Sequence, residues 1–536
     1  MTTEEKKQLI SQGKAVLGIE FGSTRIKGVL IDRDGEVLAV GFHDWENSFI
    51  HGVWTYGLDE IKAGLADCYA SLEKEVEKTY GVAPTSYAAI GISAMMHGYI
   101  ALDEKGMQLA PFQTWRNTNT QASADALTAL FGVNIPLRWS IAHLYQRILD
   151  KEEHVEKLDF VGTLAAYVHM LLTGERVLGI GDASGMFPID PETKDYDQNM
   201  VDQFNDLIAD RNYSWKLRDI FPRVLSAGEE AGTLTEAGAR LLDPTGNLKA
   251  GIPLCPPEGD AGTGMVATDS VKPGTGNLSA GTSTFAMLVL KKKLEKLHRE
   301  IDNVTTPDGY PVAMSHANNG TTDLNAIVGI FKEFCQLYGI DADMGDLYSK
   351  LYLHSLEGDP DCGGLLAYGY YSGENVTFIN EGRPLFARMP ESSYNLANLM
   401  RVNLYTSLGA VKMGLDILTK EEGVEIDRMM GHGGLFKTKG VAQRYLAAAI
   451  NAPVTVMDTA SEGGAWGIAV LAAYLLEKKE KKDLNLADYL EQNIFSRMQG
   501  TTMQPDPEEV KGFETFTDHY KKGLAVEKAA IEAMKW

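Results

Sequence analysis

The sequence predicts an α/β protein of two domains, and three observations carry this prediction. The chain has 536 residues, which is long for one domain of roughly 100–200 residues. A segment dense in Gly and Pro, GIPLCPPEGDAGTGM, starts at Gly251. Each half opens with a strand, a turn of Gly, Ser and Thr, and a second strand. We therefore expect an N-terminal domain over residues 1–250 and a C-terminal domain over residues 251–536.

The first half starts as a β-meander. The apolar run AVLGIEF ends at Phe21 and leads into the turn Gly22-Ser23-Thr24. The alternating segment RIKGVLID then reaches Asp34-Gly35, which is a strong hairpin signal, and EVLAVGF returns as a third strand. This order predicts three strands joined by short turns.

The remainder of the first half contains one more buried strand among helices. Residues 56–79 have the apolar spacing of an amphipathic helix, and YAAIGIS over residues 87–93 has the composition of a buried strand. Residues 120–230 have mainly helical patterning, with a loop at 179–185.

The second half repeats the opening pattern and then alternates strands with helices. GTGNLSAGTSTFAMLVL over residues 274–290 predicts a strand, a turn and a strand. Near the end, MMGHGGLF, GVAQRYLAAAI, PVTVM and SEGGAWGIAVLAAYLL alternate between strand and helix patterns, which favours a largely parallel sheet. Residues 508–536 have the pattern of a charged terminal helix.

Composition excludes several classes of function. The net charge of −23 disfavours general binding to nucleic acid or to an anionic membrane. The four cysteines form no CxxC pair, so a zinc knuckle or thiol-redox motif has no support, and their scarcity fits a reducing compartment. The N-terminus lacks a signal-peptide pattern, and no apolar run is long enough to cross a bilayer. We expect a soluble cytoplasmic protein.

Three turns are candidates for phosphate binding. Gly22, Ser23 and Thr24 follow a buried strand, and Lys27 adds a positive charge nearby. Glycine lets a backbone approach a ligand closely, and the hydroxyls add donors. An ordinary hairpin turn explains the same residues, so this motif alone does not decide between the two interpretations.

The other two turns lie in the second half. Gly281-Thr282 is a similar turn between strands, and Gly433-Gly434 belongs to a glycine cluster before a helix. The N–H groups at a helix N-terminus suit an anion, and small residues suit a flat base or a ribose. Tight packing explains each glycine cluster equally well. The occurrence of all three turns in one chain, in this sequence order, is hard to attribute to chance.

Two further segments carry candidate substrate residues. Asp260 follows the Gly- and Pro-rich break, and its carboxylate could take a proton from a hydroxyl nucleophile. A helix N-cap is the alternative role for this aspartate. Met96-His97-Gly98 closes a strand and fits the edge of a pocket, although a structural histidine and a core methionine are the simpler interpretations.

The sequence lacks the motifs of several common enzyme classes, which excludes the reactions of those classes. The sequence contains no GxxxxGK[ST], no GxGxxG after a strand, no HExxH and no GxSxG. A P-loop NTPase, a nicotinamide dehydrogenase, a zinc peptidase and an α/β-hydrolase therefore have no support.

The motifs taken together resemble those of the FGGY carbohydrate kinases over about residues 15–500. The ordered set is GIEFGSTRIK, GISAMMHG, WRNTN, GDASG, EGDAGTG, LSAGTST, YYSGEN, GHGGLF and EGGAWGIAVLAAY. The resemblance implies an actin-like ATPase (ribonuclease H-like) fold, with two domains flanking a cleft. Within the family, the MHG element is most similar to that of xylulokinases.

The resemblance also implies roles for individual residues. Asp260 matches the catalytic base, Glu20 matches an acid near the magnesium ion, and Met96 and His97 match the sugar-contacting element. The positions that match ATP contacts are Gly22, Ser23, Thr24, Lys27, Gly281, Thr282, Gly433 and Gly434.

Four departures from the family pattern concern the acid and the sugar side. Glu20 replaces the usual Asp, and the Trp-x-Asp-x-Arg segment has Asn117 and Asn119 at its charged positions. Ala261 follows the base where xylulokinases have Asn, and Asn375 replaces an Arg. These changes bear on the identity of the sugar more than on the type of reaction.

The resemblance therefore implies phosphorylation of a sugar hydroxyl by ATP and Mg²⁺, with a ketopentose such as xylulose as the first candidate. Ribulose, fuculose and glycerol are alternative substrates. Two other classes stay open: an actin-like ATPase that does not act on a metabolite, and a sugar-binding regulator without activity. We expect no nucleic-acid or membrane partner, and a homodimer is left open.

Overall fold

The computed structural model describes residues 1–458 and 463–535. The chain forms two compact units. The first unit comprises Met1–Val271, Asn303–Val312 and Ala460–Arg497, and the second comprises Lys272–Asp302, Ala313–Thr459 and Met498–Trp536. The helix that begins with Asp260 thus belongs to the first unit, although we expected it in the second. Composition marked an irregular segment at Gly251, whereas packing against a helix from residues 464–480 assigns Asp260 to the first unit.

The first unit contains a five-stranded sheet, in the order Glu258–Gly259, Ala89–Ala94, Val16–Phe21, Arg25–Ile31, Val37–Asp44. The first three strands run parallel, and the last three form the predicted antiparallel meander. Smaller strand pairs are Ser48–Ile50 with Val53–Thr55, Ile100–Leu102 with Phe160–Gly162, Val177–Gly179 with Arg223–Leu225, and Ile189–Asp190 with Asp195–Tyr196.

A late helix covers the centre of this sheet. Gly464–Glu480 is almost wholly buried from Gly464 to Leu475 and packs on Val16–Phe21. A Cβ at Gly18 would lie 2.2 Å from the Ala465 carbonyl oxygen, so only glycine allows this approach. Ser461 and Glu462, which open the predicted segment here, lie outside the described residues.

The other helices of the first unit include one that the sequence did not predict. Ile180–Ala183 forms where we expected a loop. The buried carboxylate of Glu258 accepts hydrogen bonds from the N–H groups of Gly181 and Asp182, so these early N–H groups of the short helix are satisfied by a distant residue. The remaining α-helices are Thr3–Ser11, Leu58–Tyr80, Gln121–Phe131, Ser140–Leu149, Leu164–Thr173, Gln198–Leu207, Leu217–Ile220, Glu236–Leu242, Asp260–Ala267 and Leu486–Tyr489.

A seven-stranded sheet runs in the order Ile301–Thr305, Pro311–Ala317, Thr284–Val289, Thr275–Ala280, Arg428–His432, Val454–Met457, Gly500–Met503. Thr275–Ala280, Arg428–His432 and Val454–Met457 are parallel neighbours. The pairings with Thr284–Val289 and Gly500–Met503 are antiparallel. The sheet is therefore mixed rather than largely parallel, because antiparallel strands flank its parallel centre.

The helices of the second unit surround a large apolar core. Leu396–Asp416 is the most buried of them. The predicted charged C-terminal helix is confirmed as Pro507–Ala533, and it buries Phe513, Phe516 and Tyr520. The other α-helices are Thr322–Leu337, Met344–His354 and Val441–Ile450, and a small strand pair joins Leu365–Tyr368 with Leu385–Arg388. In the described part of the chain, every helix is too short or too polar to cross a bilayer.

Candidate active site

Three parallel strands of the first unit end at the same level. Phe21 pairs in register with Ala94, and Ala94 pairs with Gly259. The residues that follow these strand ends, Gly22, Met95 and Asp260, therefore emerge at one edge of the sheet. The topology thus brings together segments that are more than 70 residues apart in the sequence.

The Gly22-Ser23-Thr24 turn is held from behind by aromatic side chains. The Trp45 indole N–H donates to the Gly22 carbonyl at 2.8 Å, and the Tyr56 hydroxyl donates to the Ser23 carbonyl at 2.6 Å. The two rings stack with centroids 4.1 Å apart. These contacts fix the backbone of the turn, while the Thr24 side chain stays exposed.

Ser23 differs from Thr24 because its hydroxyl has a protein partner. The Trp115 indole N–H donates to Ser23 Oγ at 3.2 Å. Trp115 is itself exposed at the surface of the first unit. Thr24 is therefore the better candidate for a direct phosphate contact.

Glu20 and Lys27 lie opposite each other on adjacent antiparallel strands. One Glu20 carboxylate oxygen accepts a hydrogen bond from the Ala465 N–H at 3.2 Å, at the start of a helix. Burial and the negative charge of Asp260 raise the pKa of Glu20 to about 7, against the opposing effects of Ala465 and Lys27. An added cation at this carboxylate would favour its ionised form.

Glu20 fits the donor chemistry of a magnesium ion that is shared with phosphate. Mg²⁺ is usually held by one or two carboxylates together with substrate phosphates and water. Among the described residues, no group of three or more His, Cys, Asp or Glu side chains could hold a metal by itself. The protein residues present thus suit a cation that arrives with a nucleotide.

Asp260 is the first residue of its helix, and Gly259 occupies the N-cap position. The alternative interpretation of Asp260 as an N-cap is therefore wrong. Its Oδ1 instead accepts a hydrogen bond from the Met96 N–H at 3.1 Å. The residue stays open to solvent, yet the protein around the carboxyl raises its pKa above the usual aspartate value, while hydrogen bonding and Arg138 oppose the rise.

Met96 and His97 connect the second parallel strand to the base candidate. Both side chains are buried, and His97 has a φ of 69°, a conformation uncommon for residues other than glycine. His97 Nδ1 lies 3.3 Å from the carbonyl oxygen of Gly185. The first unit therefore places the predicted sugar element directly beside Asp260.

The two glycine turns of the second unit form a cluster of their own. The strands before them are parallel neighbours, with Ser279 opposite His432. Gly433 has a φ of 96°, and a Cβ there would lie 2.5 Å from the Ala280 carbonyl oxygen. Gly281, Thr282, Gly433 and Gly434 thus lie at one edge of the second sheet.

The Gly281-Thr282 turn is anchored through its backbone. The Gly281 carbonyl accepts hydrogen bonds from both the N–H and the hydroxyl of Thr321, each at 2.9 Å. The Thr282 carbonyl accepts from the Gly320 N–H at 2.8 Å. The Thr282 side chain remains exposed, like that of Thr24 in the first unit.

The structure gives one of the three asparagine departures, Asn117, a local role. The Asn117 side chain is buried and bonds the Trp54 backbone through both its carbonyl, at 2.9 Å, and its amide, at 2.8 Å. Its polar groups therefore hold two chain segments together. Asn119 and Asn375 are exposed.

Several residues around these sites were missed from the sequence. Asp182 and Glu258 are buried acids next to the base, and Arg138 acts on the charge of Asp260. In the second unit, burial lowers the pKa of His432, and its Nε2 has no hydrogen-bond partner among the described residues. The motifs GDASG, EGDAGTG and GHGGLF contain Asp182, Glu258 and His432, but nothing in them set these residues apart from their neighbours, and Arg138 lies outside every motif.

Comparison with known protein families matches both halves of the chain to the same family. The N-terminal domain of the FGGY family of carbohydrate kinases matches residues 15–266, and the C-terminal domain of that family matches residues 276–476. These matches cover well over half of the chain and support the resemblance inferred from the motifs.

Individual relatives are distant. An L-fuculokinase of Escherichia coli (strain K12) is 24% identical over 261 residues, 45% of this chain and 49% of that protein. The chain thus spans about half the length of this relative. A xylulose kinase of Lactococcus lactis subsp. lactis (strain IL1403) is 21% identical over 534 residues, 95% of this chain and 96% of that protein.

A solved structure confirms the fold. The ligand-bound xylulose kinase from Lactobacillus acidophilus superimposes with a TM-score of 0.77 at 16% identity, covering 97% of this chain and 99% of that chain. The expected two-domain α/β fold of the actin-like type is therefore confirmed. The two domain matches identify the chain, which belongs to the FGGY family of carbohydrate kinases.

Proposed function

We propose that this protein transfers the γ-phosphoryl group of ATP to a hydroxyl of a small sugar, and we favour a ketopentose such as xylulose. The observation that carries the proposal is the convergence of the Gly22 turn, Met96-His97 and Asp260 at the ends of three parallel strands. Family membership supports the same reaction class. Fuculose, ribulose and glycerol are the alternative substrates.

Asp260 is the general base in this proposal. Phosphoryl transfer needs an aligned nucleophile, neutralised phosphate charge and a group that takes the hydroxyl proton. The Met96 N–H orients one oxygen of the Asp260 carboxylate, so the base has a defined direction. A positioned base of this kind contributes roughly 10²–10⁴-fold to the rate.

Phosphate contacts are assigned to a threonine on each of two turns and to a lysine on the strand Arg25–Ile31. Thr24 and Thr282 would donate their exposed hydroxyls, and Lys27 would place a positive charge beside the first turn. Magnesium, when bound, neutralises phosphate charge, and Glu20 is the residue that would hold it. The chain's own residues thus orient the nucleotide and receive the proton.

The substrate class can be tested with purified protein, ATP and Mg²⁺. A panel of ketopentoses, deoxyketohexoses and polyols is incubated at equal concentrations, and ADP release is followed. We expect release that depends on one class of sugar. ADP release that is the same with and without every sugar would instead favour an actin-like ATPase.

The pH dependence tests the role of Asp260. The ionised carboxylate is the base, so activity is lost as the pH falls through its pKa. Because surrounding protein raises this pKa, we expect the acid limb of kcat/KM to lie above the ordinary aspartate pKa of about 3.9. An acid limb at or below that value, in protein that circular dichroism shows to be folded, would contradict the assignment.

His97 is tested by two substitutions. His97→Asn keeps a residue that tolerates a positive φ, whereas His97→Ala removes the imidazole without this tolerance. Loss of a buried polar contact worth about 1–3 kcal/mol should raise the sugar KM by roughly 5–150-fold in both variants. The ATP KM should stay within about twofold.

The control for the His97 variants is His169→Ala, another buried histidine of the first unit. It should lower the melting temperature without a specific effect on sugar. If the His97 variants lose thermal stability while the sugar KM is unchanged, His97 has a structural role only.

The phosphate assignment predicts similar effects for Thr24→Val and Thr282→Val. Each removes an exposed hydroxyl from an anchored turn, so each should raise the ATP KM by roughly 2–10-fold, the effect of one hydrogen bond. Sugar binding measured by calorimetry without nucleotide should not change. Thr193→Val, at an exposed turn elsewhere in the first unit, is the control. Weakened sugar binding with normal ATP kinetics would place these threonines elsewhere.

A further inference from the structure

Two acids buried beneath the base candidate have no part in the proposed phosphoryl transfer. Asp182 is 0% exposed and Glu258 is 1% exposed, and both belong to the first unit. Carboxyl groups are seldom buried this completely without a reason, because removal from water is costly. Their contacts show how they are connected to Asp260.

Glu258 fastens the strand before the base to the segment 179–185. Its two carboxylate oxygens accept hydrogen bonds from the N–H groups of Gly181, at 3.1 Å, and Asp182, at 2.9 Å. A Cβ at Gly179 or Gly181 would lie only 2.3 or 2.5 Å from these oxygens. The segment is therefore shaped to receive a carboxylate at this position.

The Asp182 side chain makes separate contacts from its backbone N–H group, which bonds Glu258. Its Oδ2 accepts a hydrogen bond from the Thr163 hydroxyl at 2.7 Å, while its buried Oδ1 has no partner among the described residues. A Cβ at Gly259 would lie 3.0 Å from this Oδ1. The unpartnered oxygen thus faces the backbone that leads directly into Asp260.

The same segment also holds the sugar element. The Gly185 carbonyl oxygen is 3.3 Å from His97 Nδ1, and Gly185 packs against both His97 and Met96. Met96 in turn donates its N–H to Asp260. The contacts form a closed loop from Glu258 through residues 181–185 and 96–97 to Asp260, which lies two residues after Glu258.

We infer that Asp182 and Glu258 are a pair of positioning residues that fix Asp260 relative to Met96 and His97. The inference rests on the proposed function, because it gives the pair the task of aligning the base with a bound hydroxyl. A displacement of about 1 Å at such a base can cost 10²-fold in rate. Glu258 aligns the strand through its bonds to Gly181 and Asp182, and Asp182 supports the backbone at Gly259.

Burial and the neighbouring negative charges disfavour the ionised forms of both acids. Asp182 faces Glu258, Asp260 and Tyr196, and Glu258 also faces Cys255. Burial raises the pKa of Asp182 to about 8, with Asp260 adding to the rise and Thr163 opposing it. Burial also raises the pKa of Glu258 to about 8, with Asp182 adding to the rise and backbone N–H groups opposing it. Above that pH, ionisation of either acid would add negative charge beside Asp260.

Hydrogen exchange tests the positioning role without any substrate. In ligand-free protein, Glu258→Gln replaces one accepting oxygen by an amide that cannot accept from Gly181 or Asp182. We expect the amide of Met96 to exchange at least about 10-fold faster, because its bond to Asp260 loosens. Asp243→Asn is the control, since Asp243 is also a buried acid of the first unit that accepts backbone N–H groups, and it should leave this amide unchanged.

Kinetics provide the second readout. With the sugar found in the panel, Glu258→Gln should lower kcat at least about 10-fold with the ATP KM within twofold. Asp182→Ala, which removes the carboxyl beside Gly259, should likewise lower kcat at least about 10-fold with the ATP KM within twofold. This variant also carries the test if Glu258→Gln does not fold.

Two results would overturn the inference. One is unchanged exchange at Met96 in a folded Glu258→Gln protein. The other is a folded Asp182→Ala protein that keeps the kcat of the wild type. If the wild type phosphorylates no sugar, the proposed function fails, whereas the exchange measurement still decides whether the pair positions Asp260.

Discussion

Asp260→Asn is expected to lower sugar-dependent turnover by about 10²–10⁴-fold, the contribution of a positioned general base. The amide keeps the shape of the side chain and can still accept the Met96 N–H through its oxygen, but it cannot take a proton. The fold should therefore be retained, and ATP should bind as it does in the wild type. Sugar affinity should change by less than about tenfold, because the lost interaction acts mainly in the transition state.

The Asp260 variant is checked by steady-state ADP release, by nucleotide binding and by thermal unfolding. Asp243→Asn is the matched control, because it changes an aspartate of the same unit whose carboxylate accepts the N–H groups of Thr245 and Leu248 and not that of Met96. Turnover within a few fold of wild type in folded Asp260→Asn would show that another group takes the proton.

Gly433→Ala should weaken ATP by roughly 5–150-fold. Gly433 has a φ of 96° and a ψ of −175°, a region essentially restricted to glycine, and the new Cβ would lie 2.5 Å from the Ala280 carbonyl oxygen. A backbone strain of about 1–3 kcal/mol would move the loop away from its neighbour turn at Gly281. Because these turns are assigned to the nucleotide, the ATP KM should rise while the sugar KM stays the same.

Gly423→Ala separates this effect from general strain. Gly423 also has a positive φ, of 66°, but has open space around the position of a Cβ. It should cost some stability in the second unit and leave the ATP KM unchanged. An equal rise of the ATP KM in both variants would mean that the Gly433 loop has no special role in nucleotide binding.

The sequence predicted the elements that depend on local pattern. The meander from Val16 to Asp44 formed as expected, because Asp34-Gly35 and the alternating strands specify it locally. The C-terminal helix also formed as expected, with Phe513 and Phe516 on its buried face. The family was also predicted from the sequence, because the motifs over about residues 15–500 occur in the same order as in the FGGY carbohydrate kinases.

The features that the sequence did not predict depend on contacts between segments that are far apart in the chain. Asp260 belongs to the first unit because its helix packs on a helix some 200 residues later, and no local composition reports this. The helix Ile180–Ala183 depends on the carboxylate of Glu258, 76 residues beyond Asp182. Trp45 and Tyr56 support the Gly22 turn through side-chain hydrogen bonds across 23 and 33 residues of sequence, and no local pattern indicates these contacts.

The central claim is that a sugar hydroxyl, and not water, receives the phosphoryl group of ATP. The direct measurement is to quantify ADP, inorganic phosphate and phosphorylated sugar together, by ³¹P NMR, for the sugar that gives the fastest ADP release. The account predicts one phosphorylated sugar for each ADP, with little inorganic phosphate and almost no product from Asp260→Asn. ADP accompanied by equal inorganic phosphate and no phosphorylated sugar would contradict it.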